Sequence, residues 1–192
     1  MILQAKNQLT LQEFLNLPPG EGDVTYELVD GQASPKIQAK FFYAKLTRVI
    51  LNLIEQSCEG KGEVCPEWAV ALTRRGRDWM PIPDILYISY ERLPANWDEN
   101  EACPVPPDLV IEIISPGQTF GQMAAKAKDY LDAKVLRVWI LDSKARSITV
   151  FYPDAAPQTY MGEELLTDSL FEGLQFTVEQ VFQKAKIPLA TE

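Results

Sequence analysis

The sequence feature that most constrains the fold is a carboxylate inside an apolar run. Residues 108–114 read DLVIEII, so that Glu112 interrupts five aliphatic side chains. A nearly continuous aliphatic run of this length predicts a strand that is buried on both faces. Burial of an unpaired carboxylate costs several kcal/mol or forces the group to stay protonated. The fold must therefore provide either a Lys or Arg partner, which would make Glu112 part of a structural ion pair, or a bound cation.

The segments that follow this run predict a parallel pair of strands. Thr119 and Gln122 have the spacing of a capping box, which predicts a helix through about Ala133. Residues 136–142, LRVWILD, predict a second buried strand. A strand, a crossover helix and a strand in succession form a parallel, right-handed unit in nearly all proteins.

Upstream of Glu112 the pattern predicts a long helix and an antiparallel hairpin. Apolar residues at helical spacing predict a helix from Lys36 to about Gln56. These residues are Ile37, Phe41, Ala44, Val49, Leu53 and Ile54. Residues 63–73 and 79–89 predict two strands joined by a polar turn at 74–78. The resulting order αβββαβ predicts an α/β (α+β) fold with a mixed sheet flanked by helices.

The two ends of the chain add smaller elements to this core. Thr10 and Glu13 predict a short helix that the run Pro18-Pro19-Gly20 ends, and residues 26–29 with the turn Asp30-Gly31 predict a hairpin. Residues 147–152 predict a returning strand, and Thr177 with Gln180 predicts a last helix through the C-terminus. With 192 residues, we expect one domain over 1–192 with a core at about 24–152.

The absence of histidine limits the chemistry that this chain can perform. There are no His residues in the sequence, which excludes imidazole bases, nucleophile pairs that depend on them and zinc sites with imidazole ligands. The three cysteines lack CxxC spacing and predict free thiols. No apolar run approaches the ~20 residues of a membrane span, so we expect a cytoplasmic protein without a membrane partner.

The charge is unevenly distributed along the sequence. The net charge is −9, and a field of that sign repels polyanions on average. However, residues 154–183 contain six acids and no Lys or Arg, whereas residues 36–48 contain four bases and no acid. A nucleic acid could therefore meet a basic face. The candidate phosphate contacts are Lys36, Lys40, Arg74, Arg75, Arg77 and Lys128.

Asp84 gives Glu112 a possible partner in metal binding. Asp84 lies beside the apolar segment 85–88, where an isolated Asp would more often be an ordinary residue at the start of a strand. If the two strands are neighbours, two carboxylates converge at one end of the sheet, and a divalent cation would neutralise them. Oxygen ligands without imidazole or thiolate suit Mg²⁺ or Mn²⁺.

Without histidine, a lysine is the natural group to position water or to stabilise charge on phosphorus. Lys126 lies at the border of the apolar stripe of the predicted helix, which is defined by Phe120, Met123, Ala127 and Leu131. A solvated lysine is the ordinary alternative for any single helical Lys. Lys128 faces more nearly outward and is the weaker candidate.

At this point the motifs resemble a known family. YELVDG at 26–31, Pro83-Asp84, PPDLVIEIISP at 106–116, the helical K-x-x-x-Y that begins at Lys126, and VWILD at 138–142 are together similar to the Uma family of restriction-type endonucleases. This family lies in the PD-(D/E)XK restriction-endonuclease-like superfamily. The resemblance covers about residues 10–183.

The resemblance implies metal-dependent hydrolysis of phosphodiester bonds in DNA. It assigns Asp84 and Glu112 to the metal, adds Glu27 as a further acid and makes Lys126 the catalytic lysine. The motif lysine two residues after the Glu is absent, since Ile114 occupies that place, and so is the histidine common near the start of the first long helix.

Two main hypotheses of different classes follow, beside a third in which the chain is a structural oligomerisation module. The first is a nuclease dependent on Mg²⁺ or Mn²⁺ that acts on DNA, with a homodimer as one possible assembly. The second is a catalytically inactive member of the same fold that binds nucleic acid or a protein.

Overall fold

The protein is described here from a computed structural model that covers residues 8–17, 24–36 and 40–188. The helices are α1 (Leu11–Leu15), α2 (Phe41–Ser57), α3 (Phe120–Asp132) and α4 (Val178–Lys184). The strands are β1 (Tyr26–Val29), β2 (Gln32–Pro35), β3 (Gly62–Pro66), β4 (Leu72–Arg74), β5 (Arg77–Trp79), β6 (Ile85–Ser89), β7 (Leu109–Ile113), β8 (Arg137–Asp142), β9 (Ser147–Phe151), β10 (Gln158–Met161), β11 (Leu165–Thr167) and β12 (Gln175–Thr177).

The main sheet has six strands in the order β10-β9-β8-β7-β6-β3. Strands β7 and β8 are parallel, and the other neighbours are antiparallel. The helix between β7 and β8 is α3, as the strand–helix–strand pattern predicts. The mixed sheet flanked by helices and the order αβββαβ of the core are therefore confirmed.

Strand β7 separates two apolar cores, because its side chains alternate between the two faces of the sheet. Leu109, Ile111 and Ile113 belong to the core that includes buried residues of α2 and α4. Val110 belongs to the core that includes Met123 of α3. All five residues of β7 are buried, so Glu112 is the charged member of a strand with no solvent-exposed face.

Capping boxes begin three of the helices. Thr10, Thr119 and Thr177 each accept a hydrogen bond from the backbone N–H three residues later, and the side chain at that later position accepts one from the cap backbone. The three predicted helix starts are therefore confirmed. Helix α1 ends at Leu15, and the predicted stop signal at residues 18–20 lies outside the described residues. Helix α4 ends at Lys184 and does not run to the C-terminus.

The N-terminal hairpin turns at the two predicted residues. Asp30 and Gly31 have φ of 52° and 78°, the left-handed values that a two-residue hairpin turn requires. Outside the main sheet, β1 pairs with β2, and Leu28 forms a bridge with Met80. This bridge fixes the hairpin against the segment that leads into β6.

The predicted strands 63–73 and 79–89 are too long. Within these two segments, only β3 and β6 belong to the main sheet, where they pair with each other. The residues between them include β4 and β5, which form a separate small hairpin. Strand β3 ends where Glu67 adopts a left-handed φ of 51°, and Pro81 and Pro83 have no N–H for a ladder hydrogen bond before β6. The turn is also shorter than predicted, because Arg74 and Arg77 pair with each other within the hairpin.

The prediction that the long helix begins at Lys36 is also wrong. The Lys36 N–H donates to the Thr25 carbonyl at 2.8 Å and so extends the N-terminal hairpin. Residues 37–39, including the predicted apolar Ile37, lie outside the described residues. Helix α2 begins at Phe41, which is 72% exposed and therefore does not belong to the buried face. Phe120, expected in the apolar stripe of α3, is likewise 43% exposed.

The C-terminal elements pack on the α2 side of the sheet. Buried residues of α4 and of the β11–β12 hairpin belong to the same core as Trp139 of β8. Asp168, which follows β11, accepts hydrogen bonds from Arg137 at 3.0 Å and from the Trp139 indole at 3.1 Å. None of the described helices is long and apolar enough to cross a membrane. The three cysteines are free thiols, as predicted.

Candidate active site

A cavity of about 130 Å³ lies where β6 begins and β7 ends. It brings together the four residues predicted to carry the chemistry, although they are distant in the sequence. The residues that line it are Glu27, Pro35, Lys36, Tyr43, Asp84, Glu112, Ile113, Ser115, Gln118 and Lys126. The cavity is therefore the candidate active site.

Asp84 lies opposite Glu112 across two neighbouring strands. The β6–β7 register pairs Ile85 with Ile111, and its continuation by one residue places Asp84 beside Glu112. Asp84 is 3% exposed, and its Oδ2 accepts a hydrogen bond of 2.7 Å from the Ile113 N–H. The backbone of β7 thus fixes the Asp84 carboxylate at the end of the sheet.

Glu112 is held by two side chains of α3. Its Oε1 accepts a hydrogen bond of 2.7 Å from the Tyr130 hydroxyl and lies 2.9 Å from the Lys126 ammonium. Burial raises the pKa of Glu112 to about 7, and the charges of Asp84 and Glu27 act in the same direction. Lys126 lowers this pKa but offsets the burial only in part. The structural ion pair expected as an alternative is therefore present, and it lies inside the cavity.

Lys126 bridges two carboxylates from different parts of the chain. Its Nζ lies 2.9 Å from Oε1 of Glu112 and 3.2 Å from Oε1 of Glu27, and its side chain is 22% exposed. Burial alone would lower the pKa of Lys126, but the charges of Glu112 and Glu27 outweigh it and raise that pKa above its usual value. Lys126 is therefore a cation and hydrogen-bond donor at neutral pH and cannot serve as a base.

Glu27 reaches the site from β1 of the N-terminal hairpin. Its Oε1 accepts a hydrogen bond of 2.9 Å from the Ile82 N–H as well as the contact from Lys126. Both contacts engage the same carboxylate oxygen. In this arrangement Glu27 positions Lys126.

Lys36 is part of the site, although the sequence pattern indicated only a phosphate contact. Its Nζ lies 3.3 Å from Oδ1 of Asp84 and 3.3 Å from Oε1 of Glu67. Its side chain is 13% exposed, because it lies at the end of the N-terminal hairpin and faces the cavity. No periodic signal marks such a position, since residue 36 precedes α2 and does not belong to it.

Tyr43 is a titratable residue of the cavity lining that the sequence analysis missed. It lies in the first turn of α2 and lines the cavity. Burial, followed by the charge of Asp84 and a hydrogen bond to it, raises the pKa of the Tyr43 phenol above its usual range. A polar side chain near the start of the first long helix thus reaches the site in a chain without histidine. The family that the sequence resembles commonly has a histidine near the start of its first long helix, and this chain lacks it. That expected histidine was the one signal that pointed to this part of α2.

The other predicted phosphate contacts lie outside the cavity lining. Lys40 is the exposed N-cap residue of α2. Arg74 and Arg75 lie 2.7 Å and 3.5 Å from the carboxylate of Asp129. In β5, Arg77 is exposed. Lys128 pairs with Asp132 on the surface of α3. Their role in binding a nucleic acid remains a prediction.

The donor set of the cavity fits a hard divalent cation with few protein ligands. Within the part of the chain that the structure describes, no group of three or more carboxylates or thiols is close enough to hold a metal ion. Asp84 and Glu112 provide two carboxylates that face each other, and Lys126 contacts both Glu112 and Glu27. Mg²⁺ is commonly bound through one or two carboxylates, with waters and substrate phosphates in the remaining positions. Two carboxylates that face each other in one cavity are consistent with such a cation.

Comparison with known proteins places the chain in a family. The model of the Uma2 family, described as "Putative restriction endonuclease", matches residues 11–179. The chain belongs to the Uma2 family. The matched region contains all the residues of the candidate site, and the resemblance predicted from the sequence motifs is confirmed.

A solved structure supports the fold of this Uma2 chain. It is described as a putative nuclease belonging to DUF820 from Anabaena variabilis. The two structures superpose with a TM-score of 0.78 over 92% of this chain and 99% of the other, at 21% sequence identity. At that identity the likeness shows a shared fold. No curated protein matches the sequence.

Proposed function

We propose that this protein is a divalent-metal-dependent nuclease that hydrolyses phosphodiester bonds in DNA. The observation that carries the proposal is the placement of Asp84 and Glu112 opposite each other in one cavity, with the Lys126 ammonium 2.9 Å from Glu112. The family description as a restriction endonuclease supports a nuclease, and supports DNA as its substrate.

Asp84 and Glu112 would hold the cation, which would be Mg²⁺ or Mn²⁺. Both carboxylates are already fixed by hydrogen bonds, Asp84 by the Ile113 N–H and Glu112 by the Tyr130 hydroxyl. A bound divalent cation supplies Lewis-acid polarisation of a phosphoryl oxygen and a lower pKa for bound water. The carboxylates therefore need no large rearrangement of the backbone to act as ligands.

Lys126 would stabilise the negative charge that develops on the phosphate. Hydrolysis forms a bond between a water oxygen and phosphorus and breaks one ester P–O bond, while the leaving oxygen gains a proton. Because Lys126 is held as an ammonium by Glu112 and Glu27, it can donate hydrogen bonds to a phosphate oxygen. It does so without a change in its own protonation, and Glu27 keeps it in place.

The test is a comparison of Asp84→Asn and Glu112→Gln with the wild-type protein. Cleavage of plasmid DNA is measured with Mg²⁺ or Mn²⁺ and with EDTA, and Mn²⁺ binding is measured by calorimetry. We expect wild-type cleavage to require the metal. Each variant should lose cleavage activity on the order of 100-fold or more, because loss of a metal ligand should cost at least as much as loss of a residue that only supports one.

Glu172→Gln is the matched control for loss of a carboxylate. The Glu172 side chain is 90% exposed and pairs with Lys61, neither of which lines the cavity. This variant should cleave and bind Mn²⁺ like the wild type. Unchanged cleavage in Glu112→Gln would exclude that residue from the mechanism, and cleavage that persists in EDTA would exclude the metal.

One observation favours the alternative of an inactive binding module. The two candidate metal ligands already have ammonium partners, since Lys36 lies 3.3 Å from Asp84 and Lys126 lies 2.9 Å from Glu112. A site neutralised in this way could serve the fold alone. A wild-type protein that binds DNA but shows neither Mn²⁺ binding nor cleavage would support this alternative.

A further inference from the structure

Lys36 has two carboxylate partners at the same distance, one inside the site and one at the surface. Its Nζ lies 3.3 Å from Oδ1 of Asp84 and 3.3 Å from Oε1 of Glu67. The Asp84 side chain is 5% exposed, whereas the Glu67 side chain is 60% exposed. The ammonium therefore lies between a buried carboxylate of the proposed metal site and a solvated carboxylate outside it.

The position of Glu67 is fixed relative to Asp84 by the backbone. The Glu67 N–H donates to the Asp84 carbonyl at 3.3 Å, and Glu67 adopts the left-handed φ of 51° that ends β3. This turn directs the chain so that the Glu67 side chain reaches Lys36 from the neighbouring strand. A short movement of the Lys36 ammonium, without movement of either strand, would thus release Asp84 while the contact with Glu67 is kept.

The charges around Asp84 mean that such a movement of Lys36 would affect metal binding. Asp84 has one oxygen bonded to the Ile113 N–H and the other in contact with Lys36. A divalent cation at Asp84 would lie close to the Lys36 ammonium, and like charges at a few ångströms repel strongly in a poorly solvated site. Because Oδ2 of Asp84 already accepts the Ile113 N–H, a metal would bind through Oδ1, and Lys36 would have to withdraw from that oxygen.

We propose that Lys36 competes with the metal for Asp84 and that Glu67 holds Lys36 when the metal is bound. This inference rests on the proposed metal site and assigns residues that set the affinity of that site. In the metal-free protein Lys36 neutralises Asp84 and keeps the buried carboxylate stable. In the metal-bound protein Glu67 compensates the displaced ammonium.

The experiment measures the affinity for Mn²⁺ alone, by calorimetry, in the wild type and in Lys36→Met, Glu67→Gln and the double variant. We expect Lys36→Met to tighten Mn²⁺ binding by about tenfold or more, because a positive charge next to the ligand is removed. We expect Glu67→Gln to weaken binding severalfold, because the displaced Lys36 loses its acceptor. The double variant should bind like Lys36→Met, because Glu67 acts only through Lys36.

The double variant separates this mechanism from a simple effect of charge. If Glu67→Gln weakens binding equally with and without Lys36, then Glu67 acts through its field and the proposal is overturned. Unchanged or weaker binding in Lys36→Met also overturns it. Lys61→Met and Glu172→Gln remove one partner each of an exposed ion pair outside the cavity lining and should leave the Mn²⁺ affinity unchanged.

Two measurements make a failure of this proposal distinguishable from a failure of the proposed function. Absence of Mn²⁺ binding in the wild type and in all variants would overturn the metal site itself, and this inference with it. Wild-type binding without tightening in Lys36→Met would overturn only the role of Lys36. If melting temperatures show that Lys36→Met does not fold, Glu67→Gln still tests the proposal because Glu67 is largely exposed, and unchanged Mn²⁺ affinity in that variant would overturn it.

Discussion

Glu112 links the chemistry of the site to the stability of the fold. Burial raises its pKa from an ordinary value of 4.5 to about 7, so the folded protein binds its proton more tightly than the unfolded chain does. Stability from this group is therefore fully present below about pH 4.5 and is lost as the pH rises through about 7. In metal-free protein, we expect the stability of the wild type relative to Glu112→Gln to fall by on the order of 1–3 kcal/mol across this window.

Urea denaturation of both proteins in EDTA at pH 5 and pH 8 measures this difference. Gln cannot titrate, so the other groups of the protein largely cancel in the comparison. A difference in unfolding free energy that is the same at both pH values would contradict the raised pKa of Glu112. Glu172→Gln, which removes an exposed carboxylate, should show no comparable change.

The residues of the candidate site were predictable where a charged residue lies within or beside an apolar segment of the sequence. Glu112 interrupts a buried strand, Asp84 precedes one, and Lys126 borders an apolar helical stripe. Tyr43 and Lys36 lacked such a signal. Tyr43 resembles any aromatic residue of an amphipathic helix, and the position of Lys36 depends on where the hairpin ends and α2 begins.

At the scale of elements, two glycines should respond oppositely to the same substitution. Gly62 begins β3, where an added Cβ would clash with the Ile88 carbonyl and lie 2.6 Å from Cε2 of Tyr87. We expect Gly62→Ala to destabilise the protein by about 1–3 kcal/mol through overpacking against β6. Gly121 lies in α3 with open space around it, so Gly121→Ala should stabilise the helix by up to about 1 kcal/mol.

Melting temperatures of the two variants provide the measurement. Each variant is the control for the other, because the chemical change is the same and only the surroundings differ. A Gly62→Ala protein as stable as the wild type would mean that β3 and β6 approach less closely than described.

Elements with strong local signals were predictable from the sequence. The capping boxes at Thr119 and Thr177, the Asp30-Gly31 turn and the buried strands β7 and β8 all have local causes. The end of β3 and the start of β6 do not, because apolar residues continue after β3 and precede β6. A left-handed Glu67 and two prolines end the pairing, and only the first of these is invisible in the sequence.

On the scale of the whole molecule, the acidic segment 154–183 is attached to the basic residues of the core. Three of its acids form ion pairs with bases from elsewhere in the chain: Glu172 with Lys61, Asp168 with Arg137, and Glu179 with Arg146. Segment 154–183, which contains no Lys or Arg, thus forms ion pairs with bases that lie in the main sheet or next to its strands. The uneven charge of the sequence therefore corresponds to contacts between these two parts of the fold.

Of these pairs, Asp168 with Arg137 should matter most for folding. The Asp168 side chain is fully buried, and the carboxylate also accepts a hydrogen bond from the Trp139 indole. We expect Asp168→Ala to destabilise the protein by about 3–5 kcal/mol, because it leaves the Arg137 charge buried without its partner. Chemical denaturation measures the loss, and Glu172→Gln should cost less than about 1 kcal/mol because its pair is exposed. Equal costs in the two variants would contradict this ranking.

The bridge that Lys126 makes between Glu27 and Glu112 also has a consequence for the kinetics of folding. Glu27 and Lys126 are 99 residues apart in the sequence, so their contact cannot form during synthesis before the chain has been extended through α3. A chain still emerging from the ribosome therefore lacks the assembled charges of the cavity until α3 has been synthesised and has packed against the sheet.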